Sequence, residues 1–187
     1  MDKLIIPGVP DSLYFTVNKM WDGSPCGDER LHAEVWITKK EAGLNVRVHA
    51  TILDGQKIPN APVDTRFDGL WDYDVVELFF VGADGKYTEV EVGAGGHYLV
   101  LAFDDVRIRA NDFAGREFDH RHGGSTPGTW QTQMTIPWDV LPSTITRMNA
   151  FAIMGGTHLA LSAVPGSAPD FHQPGAFPKA EVAAQKV

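Results

Sequence analysis

One cysteine in 187 residues, Cys26, leaves no partner for an intramolecular disulfide, so burial and hydrogen bonding must hold the fold. Positive charge is also short. Sixteen Lys and Arg face 24 Asp and Glu, giving a formal net charge of -8, and the densest basic stretch, Arg107 to Arg121, is interrupted by acids. Such a surface repels phosphate backbones, so nucleic acid is not an expected partner. No apolar run approaches the roughly 20 residues of a membrane span. Between Met1 and Pro10 only Leu4, Ile5 and Ile6 run together, too few for the apolar core of an export signal. The expectation is a cytoplasmic chain with no membrane partner. Catalytic signatures are missing as well. The sequence has no Gly-x-Ser-x-Gly elbow, no Walker loop and no strand-to-helix Gly-x-Gly-x-x-Gly, which counts against hydrolase, kinase and dehydrogenase readings.

Helical periodicity is nearly absent, and what replaces it is alternation. Nineteen Gly and twelve Pro cut the chain into short segments of period two. Leu31 to Thr38 puts Leu31, Ala33, Val35 and Ile37 on one face, and Leu44 to Ile52 repeats the pattern with Asn45, Arg47, His49 and Thr51 outward. Further strands are expected at Leu13–Asn18, Asp74–Val81, Tyr87–Gly93, His97–Phe103, Val106–Arg109, Trp130–Ile136, Ala150–Met154 and Leu159–Val164. Helix is expected only as a turn at Pro137–Leu141, with Trp138 in the core, and as a terminal stretch over Pro178–Gln185. With no repeat, linker or composition break, these strands make one all-β domain over residues 1–187, an antiparallel β-sandwich with few short helical turns. Two long loops, Gly55–Gly69 and Asn111–Gly128, and the irregular run Pro165–Phe177 are where function would sit.

The most informative segment is Leu70 to Phe80. It is followed by a five-residue Gly/Asp loop, Gly82 to Lys86, and then Tyr87 to Gly93, which together signal a hairpin. Pairing Val81 with Tyr87 sets Phe79 opposite Glu89 and Glu77 opposite Glu91. One face then carries Val75, Glu77, Phe79, Tyr87, Glu89 and Glu91, and the core-facing side carries Val76, Leu78, Phe80, Thr88 and Val90. Like charges set opposite each other cost up to about 1 kcal/mol, so three carboxylates on one patch need a reason. They could be solvated, paired with Lys or Arg, bound to a cation, or held protonated for acid/base work. No cofactor is expected. Calcium on the acidic face is the one cation left open, although it takes about six to eight oxygens and no Asp-rich loop is near. Seven histidines raise a zinc question, yet His120-Arg-His122 and Asp170-Phe-His172 lack zinc spacing and are read as surface or loop groups.

The run Leu70-Trp-Asp-Tyr-Asp-Val-Val-Glu-Leu-Phe-Phe80, with Tyr87-Thr-Glu-Val-Glu-Val-Gly93 and Gly96-His-Tyr-Leu-Val-Leu101, resembles carbohydrate-binding module family 9 and DOMON-like sandwiches. Ile136-Pro-Trp138, Met148 to Ile153 and Pro169-Asp-Phe-His172 with Phe177 extend the likeness from about Trp21 to Phe177. It is closer still to an uncharacterised family of stand-alone cytosolic proteins with this sandwich. The resemblance implies an antiparallel sandwich, and from the carbohydrate-binding relatives a sugar held between aromatic side chains beside polar groups. Trp71 corresponds to an aromatic near that site and Glu77 to the acid of the shared strand, while a second clamping Trp has no counterpart. Haem-binding DOMON relatives use axial Met and His, but Met134, Met148, Met154 and His97 show no such pairing. The reading is therefore a small-molecule binding module for a soluble saccharide or polyol. Its ligand-binding residues are Trp71, Asp74, Glu77, Tyr87, Glu89, Glu91, Asp170 and His172. The alternative is a small enzyme using a carboxylate, with His172 or His120 assisting, as general acid or base in the same pocket.

Overall fold

A computed structural model describes residues 2–123 and 126–184. Its strands in chain order are β1 (Leu4–Ile6), β2 (Leu13–Val17), β3 (Lys19–Met20), β4 (Ala33–Lys40), β5 (Gly43–Thr51), β6 (Val75–Gly82) and β7 (Tyr87–Gly93). There follow β8 (Tyr98–Asp105), β9 (Ile108–Asn111), β10 (Asp119–His122), β11 (Thr129–Pro137), β12 (Ile145–Met154), β13 (Thr157–Ala160) and β14 (Ala180–Val182). Among the described residues helix is confined to two 3₁₀ turns, Leu70–Asp72 and Pro174–Ala176, and neither is long and apolar enough to cross a membrane.

Two antiparallel sheets pack as a sandwich. One has strand order β10-β11-β5-β4-β2 and the other β3-β13-β12-β6-β7-β8-β9. Alternation along the strands accounts for the core between them: Val35, Ile37, Val46, Val48, Met134 and Ile136 from one sheet meet Val76, Leu78, Phe80, Val90 and Val100 from the other. The three core methionines Met134, Met148 and Met154 are buried there among apolar neighbours, while His97 gives Nε2 to the Ala61 carbonyl at 3.0 Å.

The feature that builds the site is a second apolar layer on the other face of the seven-stranded sheet. Val75, Phe79, Val81, Tyr87, Leu99, Leu101, Phe103 and Phe151 are buried against Val164, Phe171 and Phe177, which belong to the irregular segment after β13. That segment is tied down by hydrogen bonds: Arg147 Nη1 donates to the Phe177 carbonyl at 2.6 Å, and Asn149 exchanges two bonds with the Ser162 backbone. Strands β6 and β7 are consequently buried along their full length on both faces.

Two expectations about helices and core change. Residues 180–182 pair in parallel with β1 rather than forming a helix, because Ala180 and Val182 pack against the sandwich rather than covering a helix stripe; Gln185 lies outside the described residues. Trp138 is 36% exposed and uses its indole N–H on the Glu41 carbonyl at 2.9 Å, so it caps the β4–β5 turn instead of filling the core.

Candidate functional site

The β6–β7 hairpin has the register read from the sequence: Val81 opposite Tyr87, Phe79 opposite Glu89 and Glu77 opposite Glu91. Its acidic face is not solvated. Glu77 and Glu89 are each 3% exposed and Glu91 is fully buried, because the covering segment closes over them. Nor does an arginine reach them at ion-pair distance among the described residues. Glu77 Oε1, Glu89 Oε2 and both Glu91 oxygens have no hydrogen-bond partner among the described residues. A buried carboxylate without partners is costly, and the usual escape is to keep its proton. Burial accordingly pushes Glu89 up to about 8, with the charges of Arg109 and Arg107 pulling it part of the way back. Burial, then repulsion from Glu89, raises Glu77 well above the carboxylate range, and burial with both neighbours does the same to Glu91.

Glu77 and Glu89 face a cavity of about 480 Å³ between the sheet and the covering segment. Its apolar walls are Leu101, Phe103, Ile153 and Phe171, and its mouth carries Trp71, Arg107 and Arg109. Trp71, on the first 3₁₀ turn, is 39% exposed and has the Arg109 guanidinium 5.9 Å from its ring centroid. His172 comes in from the covering segment. Its Nδ1 lies 2.7 Å from the Tyr87 hydroxyl, and its Nε2 lies 3.8 Å from Glu89 Oε2. Tyr87 Oη also accepts the backbone N–H of Arg107 at 3.1 Å, and Arg107 sits at φ 59, a left-handed conformation uncommon outside glycine. Burial and the charge of Arg107 depress His172 to about 4, so its ring is neutral at pH 7. Asp170 accepts from Arg107 Nη2 at 2.8 Å and from the His172 backbone at 3.0 Å. Burial alone would raise this carboxyl, but those hydrogen bonds outweigh it and hold it ionised below the ordinary range.

Of the residues singled out in the sequence, Trp71, Glu77, Glu89, Asp170 and His172 line one cavity. Tyr87 stands behind His172 and touches the cavity only through it. Glu91 shares the acidic face but lies beside Glu77 without lining the space. Asp74 is elsewhere: it accepts the Gly155 backbone N–H at 3.1 Å and is a structural cap between β6 and the β12–β13 turn. The alternation missed Phe103, Arg107, Arg109, His158 and Phe171. Two of them could have been found, since the β7–β8–β9 register sets Phe103 opposite both Tyr87 and Arg109.

The remaining histidines are corrected too. His120 is on β10, buried, with Nδ1 3.0 Å from Asp64 Oδ1 and Nε2 2.8 Å from Thr132 Oγ1. It is a packed structural group far from a surface role. Among the described residues no set of three His, Cys, Asp or Glu side chains is placed to hold a metal ion, the acidic face included.

No family model matches the sequence. The UPF0462 protein C4orf33 homolog of Danio rerio is 31% identical over 170 residues, spanning 85% of this chain and 84% of that protein. The chain belongs to the UPF0462 family. The Mus musculus UPF0462 protein is 32% identical over 85% of this chain and 86% of its own length, and the Homo sapiens protein 29% over 84% and 82%. Among solved structures, "a putative carbohydrate-binding protein" from Bacteroides uniformis superposes with a TM-score of 0.69 over 91% of this UPF0462 chain and 86% of that one. At 14% identity the likeness establishes the sandwich and nothing finer.

Proposed function

We propose that this UPF0462 chain binds a small saccharide or related polyol in the cavity beneath Trp71. The observation that carries the reading is the pair of buried carboxyls, Glu77 and Glu89, each with an unpartnered oxygen, lining a cavity that combines apolar walls (Leu101, Phe103, Ile153, Phe171) with polar side chains (Arg107, Arg109, Asp170, His172). A protonated carboxyl donates through one oxygen and accepts through the other, which is the pairing a sugar hydroxyl offers in return. Phe103, Phe171 and the exposed indole of Trp71 supply apolar surface for the C–H face of a sugar ring. The volume falls in the range of about 300–1,000 Å³ usual for small-molecule sites. The resemblance to carbohydrate-binding module family 9 and DOMON-like sandwiches supports the same ligand class, as does the description of the Bacteroides protein as carbohydrate-binding.

Calorimetry and ligand-observed NMR against monosaccharides, disaccharides and acyclic polyols test it. At least one sugar is expected to bind, and Trp71→Ala to weaken it by about tenfold, the effect of about 1.4 kcal/mol of lost ring contact. Absence of binding across the panel, or affinity indifferent to Trp71, would overturn the proposal.

A further inference from the structure

The geometry points to a reaction in this cavity: acid–base opening and reclosing of the hemiacetal ring of a reducing sugar, which interconverts its α and β anomers, with Glu77 and Glu89 transferring the protons. The inference rests on the saccharide reading above and goes beyond it, because binding alone needs no ordered proton relay. The groups for one stand together: Tyr87, His172 and Glu89. The Tyr87 hydroxyl accepts the Arg107 backbone N–H and lies 2.7 Å from His172 Nδ1, to which it can give its own proton. With that proton given to Nδ1, the imidazole is the Nε2–H tautomer, and Nε2 stands 3.8 Å from Glu89 Oε2. Catalytic hydrogen bonds are commonly long before substrate arrives and shorten in the complex.

The two carboxyls differ in what stabilises their ionised forms. Glu89 is faced by His172 Nε2 from the covering segment at 3.8 Å and by the charges of Arg109 and Arg107 from the β8–β9 hairpin, which favour its carboxylate. Glu77 is faced by Glu91 and Glu89 from β7 and by the Phe151 side from β12, with no cation, and it keeps its proton. Asp72, Asp170 and His158 complete the titratable lining. Glu89 is thus the base and Glu77 the acid. The Glu89 carboxylate takes the proton of the anomeric hydroxyl, the C1–O1 bond becomes a carbonyl, the C1–O5 bond breaks, and Glu77 gives its proton to O5. Rotation about C1–C2 exposes the other carbonyl face. Reclosing returns the O5 proton to Glu77 and the Glu89 proton to O1, so no water, metal or cofactor is consumed. Glu77 and Glu89 are diagonal neighbours across the β6–β7 ladder, at a residue spacing of roughly 7–8 Å, and both line the one cavity. Tyr87 is a positioning residue, acting through the His172 tautomer.

The test follows anomer relaxation of freshly dissolved α-D-glucose, α-D-galactose, D-mannose and D-xylose by polarimetry and NMR exchange, from pH 5.5 to 9, alongside calorimetry on the same sugars. Wild type is expected to accelerate at least one above the buffer rate, with an ascending limb near the Glu89 pKa. Glu89→Gln and Glu77→Gln are expected to lose that acceleration by about 100-fold or more. Tyr87→Phe frees the other imidazole tautomer and is expected to keep turnover with the ascending limb moved up by about one pH unit. Sugar binding without acceleration would overturn the activity and leave the binding reading standing; loss of both would overturn both. Circular dichroism checks that the glutamine variants fold. Should they not, the Tyr87→Phe and His172→Gln profiles decide, and a limb unmoved in both overturns the relay.

Discussion

Glutamine at position 89 is expected to leave the protein more resistant to urea than glutamate does at pH 9, and about equal to it at pH 4. The reason is the buried carboxyl. In an unfolded chain a glutamate titrates near 4.3, whereas burial holds Glu89 at about 8 in the folded protein. Below both values each state is protonated and the group costs nothing. Between them the folded state binds the extra proton, so stability falls as pH rises; above about 8 the full cost is present, up to about 5 kcal/mol. Glu77 and Glu91 are raised by the same burial and act in the same direction. Histidines act oppositely but in a separate window. Burial depresses His172 to about 4 and lowers His49, His120, His122 and His158, so their contribution is gained as pH rises and is complete above about 6.5. Tyr87, pushed up to about 12 by burial, enters only above pH 10. The interval from pH 7 to 9 therefore isolates the carboxyls. Urea midpoints of wild type should fall across it, and those of Glu89→Gln should fall less. Parallel curves would show that Glu89 is ionised and solvated at neutrality.

What made the acidic face legible in the sequence, and what hid its burial, are different ranges of interaction. The hairpin is local: a five-residue Gly/Asp loop and strict alternation on both sides fix which residue opposes which, and a one-residue slip would have turned the carboxylates into the core. Whether that face meets water depends on Phe171 and Phe177, some eighty or more residues further along, in a segment with no periodicity to announce that it packs. Two continuously buried strands did carry a hint, since the outward set interleaves Val75, Phe79 and Tyr87 among the acids, and such rings are seldom left in solvent. The same separation explains β14. Ala180 to Ala184 reads as helix by propensity, and only the distant β1, an equally short run, supplies the parallel partner that makes it a strand. Asp74 erred in the other direction. It belongs to the same aspartate-rich junction as Trp71, but its carboxylate accepts the Gly155 N–H and does not line the cavity.

Truncating Phe151 should separate the two apolar layers of the fold more sharply than any change in the cavity itself. Phe151 is fully buried on β12, directly opposite Glu77 on β6, and it stacks on Phe171 with centroids 4.1 Å apart and planes 10° from parallel. It also meets Phe79 edge-on at 5.5 Å and lies 5.8 Å from Phe177. Phe151→Ala removes the ring on which the covering segment rests, at a cost of about 3–5 kcal/mol. The ties that remain to that segment are weaker. The Arg107–Asp170 ion pair is largely exposed and is worth about 0–1 kcal/mol, and the Arg147 bond to the Phe177 carbonyl holds only the far end. The segment should therefore open before the sandwich unfolds, with faster hydrogen exchange at the backbone amides of His172 and Gln173 and loss of sugar binding well below the melting temperature. Phe80→Ala is the matched control. Phe80 is equally buried but points into the inter-sheet core, so its loss should cost a similar amount and leave the cover and the affinity in place below its own melting point. If both variants lose binding in step with global stability, the outer aromatic layer is merely an extension of the core. If only Phe151→Ala does, that layer is what closes the site over Glu77 and Glu89 and keeps their protons on.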